Sequence, residues 1–465
     1  MTAPAEAASD VGPRPLRCVL IANRGEIAVR VIRACRDLGL ASVVAYSEAD
    51  RESLAVQLAD RAVCVGPPLA AASYLNGDAM LTVAKALGAD AIHPGYGFLA
   101  ENAKFARSCE EAGITFVGPR PRAVELMGNK VEALRVAAAA DVPVVPGSSS
   151  PVRPEDIAAL APSLEFPVIV KAAAGGGGRG MRLAHDAEEL EVVVANASAE
   201  ARSAFGDGSV YVERYLGNAR HIEIQVCFDA HGDGVHMGER DCTIQRRYQK
   251  LVEESPSPAI DATTRAAMAE AALRLCREVD YRGVGTVEFL YDQDSGRFYF
   301  IEMNTRLQVE HPVTELVTGR DLVTLQLRIA AGERLGIVQQ DVASSGHAIE
   351  FRLNAEDVAA AFRPSAGRIA AWSAPLGPGV RVDTHCYAGY SVPPYYDSLL
   401  AKVIVWGADR GEALARSRRA LREFVVEGVA TTLPFHAWLL DQPDFIGSTT
   451  STSWTERTWT GGEPA

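Results

Sequence analysis

The sequence predicts an α/β chain, α+β in parts, with an N-terminal parallel-sheet domain, a small second domain and a larger C-terminal domain of mixed β-sheet and helix. Three observations carry this expectation. Strand and helix patterns alternate over 17–117, Gly and Pro breakers cluster over 118–151, and from about Arg220 short strands with turn residues between them dominate. At 465 residues the chain exceeds one ordinary domain and suits two to four cores.

Residues 1–15 are Ala/Pro-rich and are expected to be disordered. The first domain, 16–117, reads as a strand (17–22), a helix (25–38) and a strand (42–46). A helix (75–87), strand (89–93), helix (102–112) and strand (115–117) continue the pattern of a parallel sheet covered by helices. A linker at 118–144 contains a helix between Gly118-Pro119 and Pro143. The second domain, 145–215, has strands at 168–172 and 180–184 and a helix at about 186–201. The third, 216–446, has turns at 229–233 and 292–296, and the polar tail 447–465 is expected to be disordered.

Composition narrows the function. A net charge of −13 argues against nucleic acid or an anionic membrane as the main partner, while leaving room for local basic pockets. Eight scattered cysteines without a C-x-x-C pair read as reduced thiols in a cytoplasmic protein. No apolar run approaches about 18 residues, so no membrane-spanning segment is expected.

Four features carry chemistry. In 303–312 (MNTRLQVEHP), an extended chain would put Asn304, Arg306, Gln308 and Glu310 on one face, and Pro312 disfavours a helical His311. Donors beside an acceptor carboxylate suit a small planar oxyanion such as bicarbonate; the same pattern also fits a strand with a solvated polar face. The glycine run after Lys171 formally matches G-x-G-x-x-G but is followed by a strand pattern, which suggests a hairpin flap over nucleotide phosphates or else a surface hairpin tip. Glu288 and Glu302 face each other if the turn between their strands has five residues, and a divalent cation would resolve their repulsion; a register slip would separate them. Six lysines against forty arginines make Lys130, Lys171 and Lys250 stand out beside these features. Gly95-Tyr-Gly97 reads as a structural turn.

Over about residues 16–446 the chain resembles the biotin carboxylase component of acyl-CoA carboxylases, in the ATP-grasp superfamily. The marks are IANRGEI (21–27), HPGYGF (93–98), the run 171–181, ERDC (239–242), QRR (245–247), 303–312 and PPYYDS (393–398). The resemblance implies a three-domain ATP-grasp fold: a Rossmann-like first domain, a mobile lid and a C-terminal body. It implies that bicarbonate attacks ATP to give carboxyphosphate, which releases carbon dioxide for carboxylation of biotin N1. The same resemblance assigns ATP contacts to Lys130, Lys171, Glu213, Leu216, His221, Gln245 and Leu290, with Gly175, Gly176, Gly177, Gly178 and Gly180 in the lid. Glu288, Glu302 and Asn304 would hold Mg2+ or Mn2+. Lys250, Arg306, Gln308 and Val309 would hold bicarbonate, Glu310 would deprotonate it, and Arg352 would stabilise charge on the biotin ureido oxygen.

The expected partners are a biotin carboxyl carrier protein, a carboxyltransferase subunit and a second copy of the chain. No lysine has the Met-Lys-Met context of a biotin attachment site, so the biotin is expected on another protein or on a part of a longer chain. Tyr248, Ala174, Arg214 and Pro378 depart from residues found in relatives. A different ATP-grasp ligase joining a carboxylate to an amine, or a silent assembly subunit, are the alternatives. The acyl-CoA finally carboxylated is left open.

Overall fold

The computed structural model describes residues 15–148, 150–172, 182–205 and 208–461. The parallel sheet expected at the start is present. Strands β1 (Cys18–Ile21), β2 (Ala41–Ser47), β3 (Arg61–Gly66), β4 (Ala91–His93) and β5 (Thr115–Phe116) lie in the order β3-β2-β1-β4-β5, with every neighbouring pair parallel. Helices α1 (Gly25–Asp37), α2 (Leu54–Leu58), α3 (Gly77–Leu87) and α4 (Ala103–Glu111) connect them. Asn76 and Asn102 cap α3 and α4 by accepting from Ala79 and Phe105 amides. The sequence reading missed β3, a short strand at the sheet edge that is only partly buried.

The linker holds two helices, α5 (Pro121–Gly128) and α6 (Lys130–Ala139). Asn129 separates them and caps the second, accepting from the Val131 and Glu132 amides. A three-stranded antiparallel sheet, β7-β6-β8, follows: β6 (Val168–Ala172), β7 (Arg182–Ala184) and β8 (Val210–Arg214). It packs Val168, Val170, Val210 and Val212 against Leu190 and Val194 of a helix spanning Ala187–Phe205, with the short α7 (Ile157–Leu160) alongside; the longer helix is α8. Strands β6 and β7 pair antiparallel, and α8 opens well after the glycines. The hairpin expectation therefore holds for the flanks and the dinucleotide match fails, while the loop 175–180 and the disordered start expected at 1–14 lie outside the described residues.

The third region is built on an antiparallel sheet of eight strands, with three small two-stranded sheets beside it. β9 (Ala219–Phe228), β10 (Gly234–Arg246), β11 (Gln249–Ser255), β12 (Gly283–Asp292), β13 (Arg297–Asn304) and β14 (His347–Asn354) are joined by strands Leu399–Gly407 and Val380–Thr384, in the order β13-β12-β9-β10-β11-β14 and then those two. Several of these strands are longer than the sequence suggested. β9 shows why: it alternates His221, Glu223 and Gln225 on one face with Ile222, Ile224 and Val226 on the other, so polar residues interrupt every apolar run. The apolar face packs on α5, α6 and α9 (Ala262–Glu278), and each such side chain contributes roughly 1.5–3 kcal/mol by burial. The polar face is buried as well, beneath α10 (His311–Thr318) and the N-terminal layer, where α1 packs against α11 (Leu322–Ala330).

Over its described part, 447–461, the tail is folded, against the expectation of disorder. Trp454 is 5% exposed and stacks on Trp438 with ring centroids 5.7 Å apart, while Trp459 meets Phe435 at 5.2 Å. Two indoles supply an apolar contact that the surrounding Ser, Thr and Gly hide from a composition average.

Candidate active site

Four side chains stand abreast on the polar face of the large sheet. Glu302 on β13 is directly opposite Glu288 on β12, Glu288 is opposite Glu223 on β9, and Glu223 is opposite Arg240 on β10. The Glu288–Glu302 match survives although the turn has four residues, not five: Asp292 pairs with Arg297, and a bulge between Glu288 and Phe289 restores the register.

Three carboxylates this close need cations. Lys250, from the start of β11, supplies one: its Nζ lies 2.6 Å from Glu223, 2.8 Å from Glu288 and 2.6 Å from Glu310. Burial opposes its charge, but these neighbours raise its pKa well above the ordinary lysine value. Arg240 supplies the second, with all five N–H donors used. Nε donates to Glu223, Nη1 to Gln225 and Thr314, and Nη2 to Thr286 and Gln308. Sequence reasoning gave no role to Arg240 or Glu223, because their partners lie far away along the chain and only the sheet register unites them.

The segment after β13 departs from the extended expectation. The strand ends at Asn304, residues 305–310 turn, and His311 opens α10 with Pro312 in its first turn. Proline is tolerated there because its missing N–H would have no intrahelical acceptor. The four polar side chains still reach one region by turning. Asn304 Nδ2 and Gln308 Nε2 donate to Glu288 at 2.9 and 2.7 Å, and Arg306 Nη2 donates to Asn304 Oδ1 at 2.7 Å. Arg306 is also tied to Glu101 of the N-terminal layer at 2.9 Å, a partner the sequence did not suggest. The Val309 carbonyl accepts from Lys402 at 2.9 Å.

Glu310 sits where these elements converge. One oxygen faces Lys250 at 2.6 Å and the other faces Arg352 of β14 at 2.9 Å; Arg352 in turn donates to the buried Glu253. Burial pushes the Glu310 carboxyl up, but Lys250, Arg352 and Arg240 hold it well below the usual carboxylate range. The result is an anionic base between two cations.

The other expected residues flank this cluster. His221 Nε2 is 2.9 Å from Glu288. Leu216 and Leu290 join Val145, Ala219 and Tyr299 in a small apolar cluster beside it. Lys171 pairs with Glu213 across the three-stranded sheet. Gln245 lies opposite Lys250 in the β10–β11 hairpin. Lys130, exposed at the start of α6, is close enough for its charge to act on Glu302. Gly95 and Gly97 hold left-handed turns, and Asn23 donates to the carbonyls of Pro94 and Tyr96 around them at 2.6 and 2.7 Å.

The donor types of Glu288, Glu302 and Asn304 suit a hard divalent cation. Burial and the facing Glu288 both raise the Glu302 carboxyl, and no hydrogen-bond donor reaches it among the described residues. Glu288, held low by Lys250 and His221 against burial, supplies a second carboxylate oxygen. Asn304 offers an amide oxygen that accepts from Arg306 in this structure. All three are oxygen donors of the kind Mg2+ takes together with phosphates. Glu223 also lies within ligand distance of His221 and Glu288, but the Lys250 ammonium already neutralises that side.

Residues 15–124 match the family profile described as biotin carboxylase, N-terminal domain; 129–338 match the carbamoyl-phosphate synthase L chain, ATP binding domain; and 350–457 match the biotin carboxylase C-terminal domain. Biotin carboxylase 1 of Bacillus subtilis is 53% identical over 442 residues, covering 95% of this chain and 98% of its own. A biotin carboxylase from Campylobacter jejuni, solved as a β-γ-ATP complex, superposes with a TM-score of 0.91 at 45% identity, covering 95% of this chain and 99% of that one. The biotin carboxylase domain dimer of Hydrogenobacter thermophilus 2-oxoglutarate carboxylase, solved with MgADP, ADP and bicarbonate, gives 0.91 at 46%, covering 97% and 99%.

Proposed function

The chain belongs to the biotin carboxylase family, and from that premise we infer that it is an ATP-dependent ligase that carboxylates biotin at N1 with bicarbonate. The observation that supports this best is Glu310 held ionised between Lys250 and Arg352, a base with a cation on either side. Lys250, Arg306, Gln308 and the Val309 backbone hold bicarbonate, and Glu310 takes its proton. The bicarbonate oxygen then attacks the γ-phosphorus, the bond to the β-phosphate oxygen breaks and ADP leaves carboxyphosphate behind. Carboxyphosphate breaks down to carbon dioxide and phosphate beside biotin; the released phosphate takes the N1 proton, and N1 attacks the carbon dioxide while Arg352 stabilises the ureido oxygen.

Leu216 and Leu290 flank the base of ATP, with His221 and Gln245 beside it. Lys130, Lys171 and Glu213 order its phosphates under the lid 145–215, and Gly175 to Gly178 and Gly180 belong to the same ATP-binding set. Glu288, Glu302 and Asn304 hold Mg2+ or Mn2+, which when bound neutralises phosphate charge. The biotin is presented by a carrier protein, a carboxyltransferase subunit uses the product, and two copies of the chain form the working enzyme.

ADP release from MgATP, with and without bicarbonate and free biotin, tests the reading. Release that needs bicarbonate and rises with biotin is expected. Release that ignores both but appears with another acid or amine points instead to a different ATP-grasp ligase, and no release at all to an assembly subunit.

A further inference from the structure

The hairpin that presents Gln245 and Lys250 turns on two residues. Arg246 pairs with Gln249 and Gln245 with Lys250, so Arg247 and Tyr248 alone make the loop. A two-residue hairpin turn with both residues left-handed is the province of Asn-Gly or Gly-Gly pairs. Here an arginine and a tyrosine occupy it, with φ of 49° and 65°. Neither escapes the steric penalty of a Cβ in that region, so contacts from outside must hold the turn in place.

Those contacts come from the C-terminal segment. Glu456, exposed on the short helix Trp454–Thr458, accepts the Arg247 backbone N–H at 2.8 Å. The Arg246 guanidinium lies 4.5 Å over the Phe362 ring, and that ring meets Trp459 at 6.3 Å. The segment is anchored at its other end to the start of β9: Thr452 N donates to the Ala219 carbonyl at 2.9 Å, and buried Arg220 donates to the Ser448 and Thr450 carbonyls at 3.0 Å. Residues 448–459 thus run as a strap from the strand that carries His221 and Glu223 to the tip of the hairpin that carries Lys250.

The geometry points to Glu456 as a positioning residue: by holding the Arg247 amide it keeps the left-handed turn and so sets the place of the Lys250 ammonium among Glu223, Glu288 and Glu310. Glu456 touches no substrate, and its effect passes through two residues of turn. This deepens the carboxylase reading and rests on Lys250 being a bicarbonate contact.

The test compares wild type, Glu456→Ala and Glu456→Gln by bicarbonate- and ATP-dependent ADP release and by hydrogen exchange of the Arg247 amide. Glu456→Ala is expected to raise the bicarbonate KM about tenfold, with a smaller rise in the MgATP KM because Gln245 sits on the same hairpin, and to speed exchange at Arg247. Glu456→Gln is expected to restore both, because its amide oxygen still accepts the hydrogen bond. An alanine variant with wild-type bicarbonate KM and exchange overturns the proposal. So does one whose KM values for bicarbonate and ATP rise together without rescue by glutamine. If the wild type shows no bicarbonate dependence, the substrate reading falls instead, and exchange at Arg247, which needs no substrate, judges the clamp alone.

Discussion

At Glu310 two opposing effects meet, and their balance decides its chemistry. Burial favours the neutral acid, yet Lys250 and Arg352 touch both oxygens and the carboxyl is held well below its usual range. A folded-state pKa below the unfolded one adds stability above the ordinary carboxylate range, and that contribution is lost only as pH falls through the lowered value. Glu310 is therefore held ionised through the ordinary carboxylate range, and loss of activity on mild acidification is expected to come from other groups. Glu310→Gln keeps the shape and removes the base. It is expected to lower bicarbonate-dependent ADP release by ~10²–10⁴ with little change in the MgATP KM, by steady-state kinetics. Near wild-type turnover would remove Glu310 from its role. The residue itself was legible in the sequence through its neighbours in 303–312, but Arg240, Glu223 and Glu101 were not, since nothing local distinguishes a buried charge from a solvated one.

The β11–β14 pair shows how elements are joined by charge. Glu254 of β11 lies 2.8 Å from His347 of β14 and 2.7 Å from Arg410 at the start of the helix Arg410–Glu423. Burial would raise its carboxyl, but the His347 hydrogen bond and the Arg410 charge pull it down to about 2. The sign is that of a depressed acid: the stabilisation, on the order of a few kcal/mol, is present above the ordinary carboxylate range and is lost as pH falls toward about 2. Denaturant unfolding of Glu254→Gln between roughly pH 5 and 2 is expected to show a flatter loss of stability than wild type. Parallel curves would mean that Glu254 is not a source of acid sensitivity. The β12–β13 hairpin carries a further lesson at this scale. The sequence placed Glu288 opposite Glu302 with the wrong loop length, and a one-residue bulge, invisible in a hydrophobic pattern, restored the match.

Across the whole molecule, Lys402 ties three layers together. Its fully buried ammonium lies 3.1 Å from Glu26 on α1, 3.8 Å from Asp383 and 2.9 Å from the Val309 carbonyl beside Glu310. Glu26 accepts from the Tyr96 hydroxyl, so Lys402 links the N-terminal layer to the turn before Glu310, alongside the Arg306–Glu101 pair. Removing one partner of a buried ion pair leaves the other uncompensated, and Lys402→Met is expected to cost about 3–5 kcal/mol, measured by denaturant unfolding. Adding Glu26→Gln to that variant is expected to recover part of the loss. A double-mutant cycle with no coupling would show that the two charges do not depend on each other.

Local order was decided by the sequence alone. The alternation over 17–117 indicated the parallel sheet apart from its edge strand β3, and strand patterns on both sides of the glycines excluded a dinucleotide turn. These features rest on periodicity and backbone chemistry, which act between neighbours along the chain. Tertiary structure decided the rest: the row of Glu302, Glu288, Glu223 and Arg240, the turn that replaces the extended stretch before Glu310, and the folding of the polar tail onto Trp438. Each depends on register and packing between residues far apart in sequence, where the energy of a charge or an indole is set by what the fold places against it.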